Sequence, residues 1–158
     1  MKKIFFTNFS LIDSYIQNEF QYEIHDHYLS INEPNLDYGE INNSITPTDD
    51  ILQDKIRKII ISKQLDEVEV YKKADIDRKL FSKIRTLPDY HPNKNTLVKL
   101  CLSMQLDIDE AESILETAGY SLSHSIKTDL ILRYCFQNKI FDIITVNEIL
   151  EHYEEKII

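Results

Sequence analysis

The residues with the clearest capacity for chemistry form a cationic cluster in the middle of the chain. Residues 71–100 hold eight Lys or Arg and three Asp, a net charge of +5, whereas the whole chain carries −9. Arginine pairs with guanine edges and lysine neutralises phosphates, so such a cluster indicates a partner that carries phosphate groups. The residues that we expect to contact this partner are Arg78, Lys79, Ser82, Lys83, Arg85 and Lys94.

The remainder of the chain is acidic or neutral. Residues 1–50 carry −7, residues 51–70 are balanced, and residues 101–158 carry −7. An acidic surface repels DNA unless it faces away from it. The alternative role for the basic cluster is therefore a solvated helix face, or a surface that meets an acidic protein.

The other reactive residues predict neither a catalytic nor a metal site. His25 and His27 flank Asp26, but the sequence offers no third or fourth ligand beside them. The segment Ser-Leu-Ser-His-Ser at 121–125 places hydroxyls near a histidine, a pattern explained more simply by the start of a helix. Phosphate-binding glycine loops, nucleophile elbows and zinc-protease motifs are missing, so we expect a protein that is not an enzyme and uses no cofactor.

The two cysteines and the hydropathy of the chain bear on the cellular compartment in which the protein is expected. Cys101 and Cys135 lie within apolar helical patterns typical of buried thiols, and nothing indicates a disulfide framework. Polar residues such as Thr7 and Asn8 interrupt the apolar N-terminal run, which argues against a signal peptide. No apolar stretch approaches the roughly 20 residues that span a bilayer. We expect a cytoplasmic protein with no membrane partner.

The elements that must position the cationic cluster are short helices. Two Gly and four Pro residues are too few for a fold made of many turns. Asp66 and Asp77 are placed to cap two consecutive helices, with a turn at residues 74–77 between them. The second helix, predicted over residues 76–86, directs an apolar stripe of Leu80, Phe81 and Ile84 to the core and leaves the cations outward.

Three regions follow from these patterns. Residues 1–45 form an acidic, aromatic-rich arm and linker, residues 46–120 a helical core, and residues 121–158 a helical extension that packs on the core.

Residues that commonly cap helices predict where several helices of the core and the extension begin. Thr46, which stands before a proline, predicts the start of the first core helix, and Asp107 with Glu110 predicts a capping box. In the extension we expect one helix over residues 124–137 and a last helix capped by Thr145.

The sequence of the aromatic arm is consistent with both helical and extended structure. Residues 11–16 fit one face of a helix, whereas residues 20–24 alternate as a strand would. We expect the arm to pack on the body of the chain or to bind a partner. Folded back onto residues 72–94, its acidic side chains would mask the basic cluster. The residues expected to bind a partner are Phe5, Phe6 and Phe9.

A family resemblance rests on the residues around the predicted turn. Ile76 and Asp77 follow the pattern Val-Ser, and residues 81–84 follow Ile-Ser-x-Ile. Further matching positions are Val70, Pro92, Leu97, Leu100 and Leu106. In these positions residues 51–106 resemble the lambda-repressor/Cro (XRE-type) helix-turn-helix domains of bacteria and phages. The wider stretch 70–148 is also similar to a little-characterised bacterial module that occurs alone or attached to other domains.

The resemblance implies a mostly α fold. Its expected parts are a lambda-repressor-like five-helix core, the aromatic N-terminal arm and extra C-terminal helices. In such domains the helix corresponding to 76–86 is the recognition helix, which enters the DNA major groove. Three positions depart from the family pattern: Glu67 replaces a Gln near the DNA backbone, Tyr71 a small Ala, and Asp75 a turn Gly.

Two functions are consistent with these observations. The first is a DNA-binding transcriptional regulator that reads double-stranded DNA as a dimer. The second is a non-enzymatic protein–protein interaction module, a degenerate helix-turn-helix in a toxin–antitoxin, stress or phage-defence assembly.

Overall fold

A computed structural model describes residues 9–26, of which 20–26 by their backbone alone, and residues 50–158. These ranges contain eight helices and no strand, which confirms the prediction of a mostly α protein. The helices are α1 (Phe9–Asp26), α2 (Leu52–Ser62), α3 (Glu67–Lys73), α4 (Arg78–Thr86), α5 (Lys94–Ser103), α6 (Ile108–Thr117), α7 (Lys127–Gln137) and α8 (Ile143–His152).

Carboxylate caps start several of these helices, as the sequence predicted. The Asp66 side chain accepts hydrogen bonds from two amides in the first turn of α3, and Asp77 accepts one from Leu80 in α4. Asp107 and Glu110 form the predicted capping box of α6. These bonds satisfy amides that the helix itself leaves unpaired, so they fix where each helix begins.

Two other predicted helix starts were wrong, and a third lies outside the described residues. α8 is capped by Asp142, whose Oδ2 accepts from both the amide (2.9 Å) and the hydroxyl (2.8 Å) of Thr145. α7 begins at Lys127 rather than at residue 124, which leaves Ile126 53% exposed before it. α2 begins at Leu52, and the predicted cap Thr46 lies outside the described residues.

α5 is the central helix of the fold. Seven of its ten residues are buried, and it packs against α3, α6 and α8. A continuous cluster of buried apolar side chains connects α5 with α2, α3 and α4. Burial of most of its length removes much apolar surface from water, so the neighbouring helices pack around α5.

α1 packs principally on α7. Ile12 and Ile16 are buried there, and Tyr15 makes an edge contact with Tyr134 at 5.6 Å between ring centroids. The helix continues to Asp26, so the strand alternative for residues 20–24 was wrong. This part of the acidic arm therefore packs on the C-terminal extension of the same chain.

Aromatic and polar contacts hold α1 at its N-terminal end and again at Glu19. The Phe9 ring stacks on His152 at 3.7 Å, and the Tyr153 hydroxyl donates to Asp13 (2.9 Å) and to the Phe9 carbonyl (3.1 Å). Burial and the neighbouring Asp13 raise the pKa of Tyr153, so its hydroxyl remains a donor at any physiological pH. Further along α1, Glu19 lies 2.6 Å from Nδ1 of His124.

Two ion pairs hold α7 to the core. Lys94 donates to both carboxylate oxygens of buried Asp129, each at 2.7 Å, and the Ser123 amide donates to the same carboxylate at 2.8 Å. One turn further along α7, buried Arg133 pairs with Glu112 of α6. Because these charges are largely removed from water, each needs its partner to remain in place.

We expect Asp129→Ala to lower the free energy of unfolding by about 2–3 kcal/mol, because it leaves the half-buried Lys94 ammonium without its carboxylate. The measurement is urea denaturation. Glu69→Ala is the control, since it breaks the exposed 3.3 Å pair with Lys73 and should cost less than about 0.5 kcal/mol. Equal losses in the two variants would contradict this role of the buried pair.

Candidate nucleic-acid interface

α3 and α4 are joined by a tight turn that sets their relative orientation. The Ile76 amide donates to the Tyr71 carbonyl at 3.1 Å, and Asp75 adopts a φ of +50°. An Asp tolerates this left-handed conformation at a turn better than most side chains do. The Tyr71 ring lies 5.8 Å from the Phe81 ring, so this large residue packs between the two helices.

The sequence of α4 divides it into a buried and an exposed face. Phe81 and Ile84 are buried, at 3% and 0% exposure. Behind them, the buried Gln53 of α2 donates to the carbonyl of Leu87 at 2.9 Å and holds the chain that leaves α4. The helix is therefore fixed on one side, which leaves its opposite side free to meet a partner.

Four of the predicted site residues lie on that exposed side: Arg78, Lys79, Ser82 and Lys83. The three cations make no ion pair with any described residue. They border an open depression of about 570 Å³ at the start of α4, together with Asp77 and Leu80. The depression therefore combines a concave shape with a net positive charge, from three cations against the single Asp77 carboxylate.

Two other predicted site residues are held by partners within the protein. Arg85, on α4, pairs with Glu67 in the first turn of α3. Lys94, at the start of α5, is bound to Asp129 as described above. Both side chains already have a carboxylate partner, so fewer unpaired cations stand on this face than the sequence by itself indicated.

The predicted partner-binding aromatic residues lie elsewhere. Phe9 is partly buried against His152 and Tyr153 of its own chain. Phe5 and Phe6 lie outside the described residues, as does His27.

The other histidine and serine side chains considered in the sequence make contacts within the fold, where they lie among the described residues. His91 Nε2 lies 2.7 Å from the Ala118 carbonyl, and His124 pairs with Glu19 rather than with the neighbouring serines. The Ser123 and Ser125 hydroxyls instead bond each other at 3.0 Å. Among the described side chains, no three His, Cys, Asp or Glu are grouped as a metal site requires.

Sequence reasoning missed the features that refine the site. Glu67 was noted as a departure from a family pattern, but its pairing with Arg85 joins residues 18 positions apart on different helices. Asp129 carried no local signal at all. Leu80 was assigned to the core, yet it is only partly buried and lines the depression with the cations.

Comparisons with known proteins give no relative. No protein-family model matches the chain, and no curated protein or solved structure matches it. None of the helices within residues 9–26 and 50–158 has both the length and the apolar character needed to cross a bilayer. Function must therefore rest on the residues of the site.

The two cysteines should be unreactive in the folded protein. Burial raises the pKa of both thiols to about 12, so at pH 8 almost none of the nucleophilic thiolate is present. We expect no labelling of Cys101 or Cys135 by a thiol-specific reagent in native buffer, and two labels per chain in denaturant, measured by absorbance and mass spectrometry. Rapid labelling of the native protein would contradict their burial.

Proposed function

We propose that the protein is a DNA-binding transcriptional regulator that uses α4 as its recognition helix. The observation that carries this proposal is the outward face of α4, where Arg78, Lys79 and Lys83 stand with no carboxylate partner among the described residues. On a chain of net charge −9, three unpaired cations grouped on one helix are a local excess of positive charge. Arginine and lysine are the residues that contact bases and phosphates.

The arrangement of the core supports the same proposal. Five consecutive helices, α2 to α6, include a pair joined by a tight turn, which is the order found in lambda-repressor-like domains. α4 is the second helix of that pair, and its buried residues Phe81 and Ile84 face the core. An α-helix with one free face fits the major groove, which is about 12 Å wide.

Electrostatics sets the expected strength of binding. If the three cations on this face of α4 each neutralise one phosphate, the log–log salt slope for one copy of the chain should be about −2.7. Such weak binding by a single copy favours a dimer on paired half-sites, for which the slope would be about −5. The proposal includes a cytoplasmic location, where the chain would meet DNA.

The second candidate function is docking to a protein by the same pair of helices. It is favoured by the Glu67–Arg85 pair, which removes a cation from the face, and by two exposed apolar residues at its edges. Val68, in the first turn of α3, is 45% exposed, and Leu87, directly after α4, is 48% exposed. Apolar side chains at a rim of charges suit a protein surface better than a phosphate backbone.

The deciding experiment is fluorescence anisotropy with random-sequence and own-promoter duplexes across a salt series. Binding that prefers the promoter and weakens with the slopes given above supports the regulator. Absence of binding at low salt, for the full chain and for a chain that begins at residue 46, would refute it and leave protein docking.

Reversing two charges on α4 should abolish DNA binding. For Arg78→Glu with Lys83→Glu we expect a loss of about 100-fold or more, because each change removes a cation and adds a repulsive charge. Both residues are exposed, so circular dichroism and the melting temperature should not change.

The matched control is Lys139→Glu with Lys156→Glu, which alters net charge equally on the C-terminal extension. Lys139 has a φ of +57°, a conformation that Glu154 of this chain also adopts, so the substitution is tolerable there. Equal loss of binding in the two double variants would indicate a net-charge effect and not an interface on α4.

Neutralising Glu67 should strengthen DNA binding. Glu67→Gln releases Arg85 from its ion pair and removes a carboxylate that would face phosphate, so we expect a gain of about 3- to 10-fold and a salt slope steeper by about 1. The measurement is the same anisotropy titration. Glu69→Gln is the control, since it makes the same change in the same turn but pairs with exposed Lys73. A gain in both variants would mean that Arg85 has no part in it.

A further inference from the structure

One of the side chains that line the depression at the start of α4 is apolar, although the others are charged. Leu80 lines it together with Arg78, Lys79 and Lys83. Lys83 follows Leu80 by three residues, so the two side chains are neighbours on one side of the helix. A leucine among cations adds nothing to electrostatic attraction, but its exposed part can bury apolar surface against a partner that enters the depression.

Leu80 is also held in position more firmly than its cationic neighbours. Its amide donates to Asp77 at 2.8 Å, which fixes it in the first turn of α4, and its side chain packs partly on the apolar core. Lysine and arginine lose considerable rotamer freedom when they are immobilised on binding, whereas a side chain already held by packing loses little. A rigid contact of this kind is suited to discrimination.

From this placement we infer that Leu80 is a specificity-determining residue that contacts the 5-methyl group of thymine. The inference rests on the proposed function, since it requires α4 to lie in the major groove. The edges of base pairs present hydrogen-bond donors and acceptors there, and the thymine methyl is the one apolar group among them. Leucine has no polar atom to pair with the other edges, so only thymine offers it a favourable contact.

The chemistry of the neighbouring residues predicts the surrounding base preference. Arg78 and Lys83 border the same depression, and both side chains donate to the O6 and N7 atoms of guanine. Asp77 also borders it, but one of its oxygens already accepts from the Leu80 amide. The preferred site should therefore contain a thymine beside at least one guanine.

The test compares thymine with uracil, which differs only by the methyl group. Duplexes are first enriched from a random pool by the full-length wild-type protein. Each thymine in the enriched duplex is then replaced singly by uracil, and affinity is measured by anisotropy at fixed salt. We expect one thymine per half-site whose replacement weakens binding about three- to five-fold, the size expected for burying one methyl group.

Two variants assign the effect to its residue. In Leu80→Ala the thymine and uracil duplexes should bind equally, because the side chain that contacts the methyl is gone. In the control Leu87→Ala, which removes an exposed leucine just after α4 and outside the depression, the discrimination should persist. The comparison on wild-type protein stands by itself if Leu80→Ala proves unstable in a thermal melt.

The outcomes separate this inference from the function on which it rests. If the wild type binds duplexes with a steep salt dependence but tolerates every uracil, Leu80 does not read thymine, and DNA binding stands. Discrimination that survives in Leu80→Ala overturns the inference in the same way. If the wild type binds no duplex, both proposals fall.

Discussion

The buried pair of Lys94 and Asp129 is the interaction on which the rest of the structure depends. It joins the start of the central helix α5 to the first turn of α7, and the same carboxylate accepts the Ser123 amide. Because α1 packs principally on α7, the placement of the N-terminal helix depends on this pair as well. Removing one charge would leave the other without a partner in a poorly solvated place, which the fold cannot relieve locally.

The same constraint reduces the basic face to a few residues. Of the cations that cluster in the sequence, Lys73 pairs with Glu69, Arg85 with Glu67 and Lys94 with Asp129. Those pairs serve α3, α4 and α7 internally, and they leave the charge at the start of α4 uncompensated by described residues. A small set of free cations around an apolar leucine favours contacts that depend on shape and chemistry over simple electrostatic attraction.

The described part of the acidic arm, residues 9–26, packs principally on α7, whereas masking of the basic face would require the arm to cover residues 72–94. Its described helix, α1, is fastened at Phe9 by His152 and Tyr153 and further along by His124. These contacts belong to the C-terminal extension, so α1 and the extension form one packed unit. Residues 27–49 lie outside the described part of the chain. Among the described residues, the outward face of α4 is exposed to solvent.

The sequence by itself determined the features that depend on near neighbours. A capping carboxylate acts on amides two or three residues away, so Asp66, Asp77 and Asp107 predicted the starts of three helices correctly. Helical periodicity likewise separated the buried and outward residues of α4, except for Leu80. Where two capping residues stood close together, the local pattern permitted either, and Thr145 was chosen in place of Asp142.

Only the tertiary structure decided which outward cations remain available. Arg85 and Lys94 find their carboxylates 18 and 35 residues away on other helices, and the spacing of residues along a chain does not specify contacts that packing alone creates.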